Sequence, residues 1–560
     1  MSENDPSSKH KQPVTVVIDG REVVAEKGEM LLQVALDNGV EIPHYCYHPK
    51  LSIDGSCRMC QVKIEKAPKL AIACNTPVND GMVVDTQGEE VAEARRGVME
   101  LLLINHPLDC PICDQAGECY LQDYSFAYGR EDSRTSSPRR KGIKRYPIGP
   151  RVIYDQERCI LCRRCVRFTS EISETDELRV LGIGDTSRIG TAPDAPLDND
   201  YSINTADICP VGALLSADFH HKRRVWFLEE TQSVCPGCSK GCNIKIGMYK
   251  NEIQRLVPRR NDDVNDTWMC DQGRLGYAFA HDASRVREAT VAQEGGARTA
   301  CSIDEALDVV AERIRAALDS DGPESVAVLG SGHLTNEELY CLRELVQQGI
   351  GTPHLDTLVP MGEGDDFLIQ PEKAANARGA SDLGISPGES GKGLAEVLDA
   401  AAAGEIKVLY IVGSGDLESL ADAEALQAAL DKVETLVVQD SNRSATTDRA
   451  AVVLPGQVWA EKDGSFTNHA GRVQRIRRAM QPPPDAYCDG GIFTRLQARL
   501  EGNDPSSARF DARKALEAIA TSVAGYEGLS LDRLGSLGVG PGEAAPRPEV
   551  PEEGAPAESA

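Results

Sequence analysis

Fifteen of the eighteen cysteines in this 560-residue chain, joined by one histidine, fall at spacings that suit metal ligation, all in the first half of the sequence. Four sets of four emerge: Cys46, Cys57, Cys60 and Cys74; His106, Cys110, Cys113 and Cys119; Cys159, Cys162, Cys165 and Cys209; and Cys235, Cys238, Cys242 and Cys270. Foursomes of thiolates are what iron–sulfur clusters require, because each iron takes a soft, anionic terminal ligand. Four such centres in one chain would form a path for electrons.

The third set is the sharpest. Cys159-x2-Cys162-x2-Cys165 wraps one face of a cube, and Cys209-Pro210 closes it. In two-cluster ferredoxins the Cys-Pro cysteine completes the cluster begun by the other, distant triplet. A second triplet here would fall at Asn199, Ser202 and Thr205, with Thr169 in place of its partner cysteine. One four-iron cluster is therefore expected where the frame could hold two. In the fourth set, the x3 gap before Cys242 and the lone distant Cys270 favour a cube over zinc. The first set departs from the plant-type C-x4-C-x2-C spacing, and structural zinc is its alternative. Gly55 and Ser56 suit a loop whose N–H groups approach sulfides. In the second set the three cysteines are ligands, while spacing alone leaves His106 open between ligand and close neighbour.

Small structural elements must hold these loops. Residues 13–87 read as a β-grasp unit that favours a two-iron cluster in the first set. Val14 to Ile18 is a strand, Asp19-Gly20 a hairpin turn, and residues 22–25 the return. A helix over 30–38 stops at Gly39, and strands follow around 61–64 and 82–84. Residues 89–105 predict an amphipathic helix with Val91, Val98, Leu101 and Leu102 on or near one face. It leads to a second cluster unit, 88–128. An irregular, Arg/Ser/Gly/Pro-rich connection over 128–150 precedes the cluster regions 151–225 and 230–285. Beyond 300, helices (303–318, 337–348) alternate with apolar strands (325–329, 406–412, 435–438), predicting a parallel α/β sheet over 300–535. The turns Gly330-Ser331-Gly332 and Gly413-Ser414-Gly415 are G-x-G only, better read as tight strand-to-helix turns than as phosphate cradles. Cys341, beside Leu339 and Leu342, reads as core packing; Cys301 and Cys488 have no neighbour at ligand spacing. Residues 540–560, rich in Pro, Ala, Glu and Gly, are expected to be disordered.

The totals exclude several classes. A net charge of −27 argues against a nucleic-acid partner. No run approaches the roughly 18–20 apolar residues that span a bilayer. The polar start of the chain lacks a signal-peptide core, so the cysteines are expected in a reducing, cytoplasmic setting. No Ser/His/Asp or paired-carboxylate constellation suggests hydrolytic catalysis.

The order of the sets, with Ile104-Asn105-His106-Pro107-Leu108-Asp109-Cys110-Pro111 and Gly117-Glu118-Cys119, closely resembles one family: the large iron–sulfur subunit of bacterial NADH–quinone oxidoreductase, respiratory complex I. The resemblance implies that His106 is a ligand, that the first set holds one 2Fe-2S cluster, and that the other three hold 4Fe-4S clusters. It implies a flavoprotein NADH-binding partner, quinone-side iron–sulfur partners, and a place on the cytoplasmic face of the inner membrane through the complex alone. The fourth cluster would lie off the main path. The second half resembles the molybdopterin oxidoreductase fold through Thr335-Asn336-Glu337-Glu338, Gly351-Thr352, Trp459 to Asn468, and Gly471-Arg472-Val473-Gln474. No cysteine lies between Cys341 and Cys488, where true molybdenum enzymes carry a metal ligand, so molybdenum is not expected.

Three classes compete on this reading. An electron-transfer subunit without its own NADH or quinone site leads. A molybdenum-dependent formate dehydrogenase lacks its metal ligand, and an iron-only hydrogenase lacks a further C-terminal cysteine set. A structural zinc scaffold is the third.

Overall fold

Strong alternation at the start of the chain becomes a five-stranded sheet. In Pro13–Ile18 the side chains of Val14, Val16 and Ile18 point inward and are buried. A turn through Asp19 and Gly20, both at positive φ, returns the chain as Arg21–Glu26. The sheet order is Arg21–Glu26, Pro13–Ile18, Met82–Asp85, Gln61–Ile64, Ala71–Ile72, with Pro13–Ile18 and Met82–Asp85 parallel. Helix Leu31–Asp37 buries Leu31, Leu32, Val34 and Ala35 against it. Cys60 and Cys74 belong to this same core, so the sheet itself fixes two of the first four sulfurs.

The computed structural model describes residues 12–293 and 297–543. Residues 544–560 of the expected tail lie outside them. The described chain forms two units, divided between Phe227 and Leu228.

Helix Glu89–Leu103 departs from the expected face. Its buried residues are Val91, Arg95 and Met99, while Leu101 is 71% exposed. The stripe runs at i, i+4, i+8, but its middle member is an arginine, which pattern reading assigns to solvent. The Arg95 guanidinium donates to the Gln61 carbonyl at 3.0 Å, and the Tyr45 hydroxyl donates to Met99 sulfur at 3.2 Å. The rest of this unit holds a small sheet of Tyr146–Pro147, Val152–Tyr154 and Leu214–Ser216, and helix Arg164–Glu171. Three of the four positions an additional cluster would use carry hydroxyls, and the fourth is Asn199. Thr169, Ser202 and Thr205 are fully buried, and Thr205 Oγ1 donates to the Ser202 carbonyl at 2.7 Å.

In the second unit, Glu229–Val234, Asn243–Tyr249 and Glu252–Pro258 make an antiparallel sheet. A seven-stranded sheet follows, in the order Arg298–Cys301, Ala289–Ala292, Val452–Pro455, Thr435–Asp440, Val408–Val412, Val326–Ser331, Leu355–Leu358. Its last five strands are mutually parallel, as the alternating pattern predicts, and are nearly all buried. The antiparallel pair Ala289–Ala292 and Arg298–Cys301, almost wholly before the 300–535 span, adds an edge to this parallel sheet. Its strands are short and half-polar, which suits an edge and hides them from an apolar-run reading. Helix Ile303–Asp321 opens with a Ser302/Glu305 capping box and buries Ile303, Leu307, Val310 and Ile314. The expected helix over 337–348 is Asn336–Glu344, continuing into a π-helical turn, Leu345–Ile350.

Charges are also buried in this unit. Arg285 pairs with Glu461 at 2.8 Å. Lys462 Nζ lies 2.9 Å from Glu338 and 2.8 Å from Asp489, and Asp489 in turn accepts from Gln439.

Candidate iron–sulfur centres

The first set hangs from a loop between the β-grasp helix and strand Gln61–Ile64. Its thiols stand as two hydrogen-bonded pairs, Cys46 with Cys57 and Cys60 with Cys74. The hydrogen bond from Cys57 draws Cys46 down to about 5, and the shared proton pushes Cys57 up. Gly55 sits at φ +64, and a Cβ there would meet Ile72 Cδ1 at 3.2 Å, so the loop needs glycine twice over.

The third set lines one enclosed cavity with Tyr154, Ile189, Val211 and Leu214. Leu161 and Arg163, each between two of the cysteines, have left-handed backbones at φ 54 and 60. Such residues cost about 1–3 kcal/mol each and cluster at functional sites. Here they curl the C-x2-C-x2-C segment, and the Leu161 N–H donates to Cys159 Sγ at 3.4 Å. Burial pushes Cys159 and Cys162 up to about 11, and Cys165 and Cys209 up as well.

The fourth set lines a cavity of about 140 Å³ with Leu256, Met269 and Trp459. Cys235 follows one strand, Cys242 precedes the next, and their backbones are joined by a 2.9 Å hydrogen bond. Cys270 caps helix Asp271–Leu275, its sulfur accepting the Gly273 N–H at 3.3 Å. Burial again pushes Cys235, Cys242 and Cys270 up.

In the second set Cys113 and Cys119 are buried and Cys110 is exposed. The three thiols act on one another electrostatically; His106 is tied to them through Arg158, which lies beside both His106 and Cys113. Burial, then the Arg158 charge, pulls His106 down to about 4, leaving a neutral imidazole able to ligate. Arg158 is 1% exposed and paired with Asp109 at 3.0 Å and Asp155 at 3.4 Å. Arg224 donates to the carbonyls of Cys110, Pro111 and Cys113.

These pockets suit a multivalent cationic core. Buried thiols whose pKa is raised are poor thiolates alone, and become stable anions only when cations enter among them. Four converging sulfurs with N–H donors around them meet that requirement in the third and fourth sets.

The sets of the first unit adjoin one another. One guanidinium, Arg167, donates to the carbonyls of Cys46 and Cys162, joining the first set to the third. Arg164 does the same between Tyr47 and Ile208. The third set adjoins the second through the segment after Cys209: Cys119 Sγ lies 3.9 Å from the Pro210 carbonyl, and Gly212 packs on Cys113 Sγ. Tyr45 stands near both Cys57 and Cys119. Sequence reasoning misses these arginines. Their one signal is placement, Arg158 directly before Cys159 and Arg164 and Arg167 within or just after the C-x2-C-x2-C run.

A cleft of about 600 Å³ opens at the C-terminal ends of the parallel strands in the second unit. The two G-x-G turns face it with their donors engaged. Ser414 N and Oγ donate to Asp440, and Ser331 Oγ donates to Asp416. Carboxylates of this chain thus occupy the Ser414 and Ser331 donors at the two turns.

Fold and site together define a multi-centre iron–sulfur electron carrier with a molybdopterin-oxidoreductase-type second half. Family models match in the same order: a 2Fe-2S iron–sulfur cluster binding domain over 11–89, an NADH-ubiquinone oxidoreductase-G iron–sulfur binding region over 95–134, and an NADH-quinone oxidoreductase subunit 3 ferredoxin-like domain over 149–215. A molybdopterin oxidoreductase Fe4S4 domain over 228–282 and molybdopterin oxidoreductase over 368–499 follow. The mitochondrial NADH-ubiquinone oxidoreductase 78 kDa subunit of Candida albicans is 31% identical, over 93% of this chain and 87% of that protein. The NADH-quinone oxidoreductase G-subunit of Streptomyces coelicolor is 38% identical over 68% of this chain, and that of Rickettsia felis 39% over 59%. These matches span 45% and 48% of the bacterial proteins, about half their length. The chain belongs to the family of the NADH–quinone oxidoreductase G-subunit and its mitochondrial 78 kDa counterpart.

Proposed function

We propose that the chain relays electrons within an NADH:quinone oxidoreductase, from a flavoprotein NADH-binding subunit toward quinone-side iron–sulfur subunits. The observation that carries this reading is the adjacency of three ligand sets in one unit, joined by Arg167, Arg164 and the Cys209–Gly212 segment. On this reading Cys46, Cys57, Cys60 and Cys74 hold a 2Fe-2S cluster. His106, Cys110, Cys113 and Cys119 hold a 4Fe-4S cluster, as do Cys159, Cys162, Cys165 and Cys209, and Cys235, Cys238, Cys242 and Cys270. Bound there, each cluster supplies a one-electron redox centre. The protein's own groups set its environment: the buried Arg158 guanidinium next to Cys113 and His106 favours the reduced, more negative state of the second cluster, an effect that its partners Asp109 and Asp155 offset. Hydrogen bonds to Cys159 and Cys270 sulfur likewise favour the reduced state. Electrons pass from the first set to the third and then the second, following the contacts.

Among the described residues no helix is long and apolar enough to cross a membrane. Membrane association at the cytoplasmic face then comes through partner subunits. The molybdopterin-type half serves as a scaffold around the fourth cluster, without molybdenum chemistry.

The test is to offer purified, cluster-loaded, flavin-free chain two reductants. Dithionite should bleach its visible absorption, and NADH should give no turnover. NADH oxidation by this chain alone would place a nicotinamide site on it and overturn the relay reading.

A further inference from the structure

Asp114, His220 and His221 belong to none of the four sets. Asp114 is 6% exposed, on the loop between Cys113 and Cys119; the histidines follow strand Leu214–Ser216. One potential ligand atom from each lies within 4.8 Å of the other two. The imidazoles stack with centroids 3.8 Å apart and planes 21° from parallel. Asp114 Oδ2 accepts the His221 backbone N–H at 3.0 Å and stands 3.9 Å from His220 Nε2. His220 Nε2 is buried and has no hydrogen-bond partner. A buried polar group left without a partner is destabilising until one arrives. His221 has a left-handed backbone at φ 60, uncommon for a non-glycine residue.

We propose that these three side chains form a binding site for a divalent first-row transition metal, with zinc the best match. Two imidazole nitrogens and one carboxylate oxygen are the donor set of open, three-ligand zinc sites, whereas calcium and magnesium take oxygen shells. Zinc bonds of about 2.0–2.1 Å in a tetrahedron place donors about 3.3–3.4 Å apart. Stacked imidazoles aim their in-plane lone pairs side by side, so the site closes only when the rings turn out of their stack, for which the unbonded His220 Nε2 is free. Water completes the fourth position. Burial first, then His221, Arg145 and Arg158, opposes a protonated His220; the two arginines also oppose the incoming cation, so affinity falls below that of a four-thiolate structural site. The metal would clamp the loop bearing Cys113 and Cys119 to the segment after Leu214–Ser216. The site shares no ligand with the four cluster sets and stands apart from the relay reading.

The test is zinc titration of the cluster-loaded full chain, wild type against His220→Gln, with iron content and zinc-edge X-ray absorption measured on both. His220→Gln removes the orphaned nitrogen and breaks no hydrogen bond of that atom, so the variant should keep its iron. Wild type is expected to take up one zinc with a nitrogen/oxygen shell, and the variant to bind it at least tenfold more weakly. Asp114→Asn should weaken it similarly. No zinc uptake by wild type, equal affinity in His220→Gln, or a sulfur-containing zinc shell would each overturn the site.

Discussion

Gly212→Ala should cost the chain one four-iron cluster. A Cβ at Gly212 would fall inside the contact radius of Cys113 Sγ, with Gln115 Cβ at 3.1 Å on the other side. A sulfur bonded to iron cannot rotate away. Nor can the segment retreat, because Cys209 lies in the third set and Leu214 is paired with Tyr154 in the small sheet. The one added methyl must therefore displace a ligand of the second set. Of about 14 irons expected per chain, about four should be lost, with one four-iron electron paramagnetic resonance signal. Electron transfer through the assembled complex should collapse with it, since the second set is the last in the proposed path. Full iron content in Gly212→Ala would show that the second and third sets do not approach through this segment.

Lys462→Met should be the most damaging single change in the second unit. Lys462 stands between Glu338 and Asp489, all three almost wholly buried. Removing one partner of a buried ion cluster leaves uncompensated charge and costs about 3–5 kcal/mol. The deficit should depend on pH. Burial holds the folded-state Glu338 above the ordinary carboxylate range even with Lys462 present, and without the ammonium it rises further. A folded-state pKa above the unfolded one means that stability is retained at low pH and lost as pH rises through the folded value. The variant should thus lie nearer to wild type at pH 5 than at pH 8. Urea unfolding followed by fluorescence of Trp268 and Trp459, both in this unit, measures it; a deficit independent of pH would contradict the charge argument.

That Cys159, Cys162, Cys165 and Cys209 gather around one cavity, and Cys235, Cys238, Cys242 and Cys270 around another, is legible in the sequence because cysteine spacing sets the local geometry of such a loop. The β-grasp frame is equally legible, since Val14, Val16 and Ile18 alternate strictly around a turn that demands positive φ. What joins the sets is not. Arg158, Arg164 and Arg167 read as ordinary surface cations, yet they are drawn in by carbonyls and carboxylates contributed from over 40 to over 110 residues away along the chain. Arg95 hides the buried stripe of Glu89–Leu103 for the same reason. His220 and His221 carry no motif; only folding brings Asp114 to them. The G-x-G segments are tight turns, as their spacing implies, but that Asp440 and Asp416 occupy their donors depends on strand order, which sequence spacing does not contain.

The most direct test of the central claim is metal analysis of the anaerobically purified chain, coupled to electron paramagnetic resonance after reduction. An electron relay of this kind should hold about 14 irons per chain, with one two-iron and several four-iron signals. Sulfur-bound zinc in place of that iron, reproduced without exposure to oxygen, would contradict it and leave a structural scaffold rather than an electron carrier.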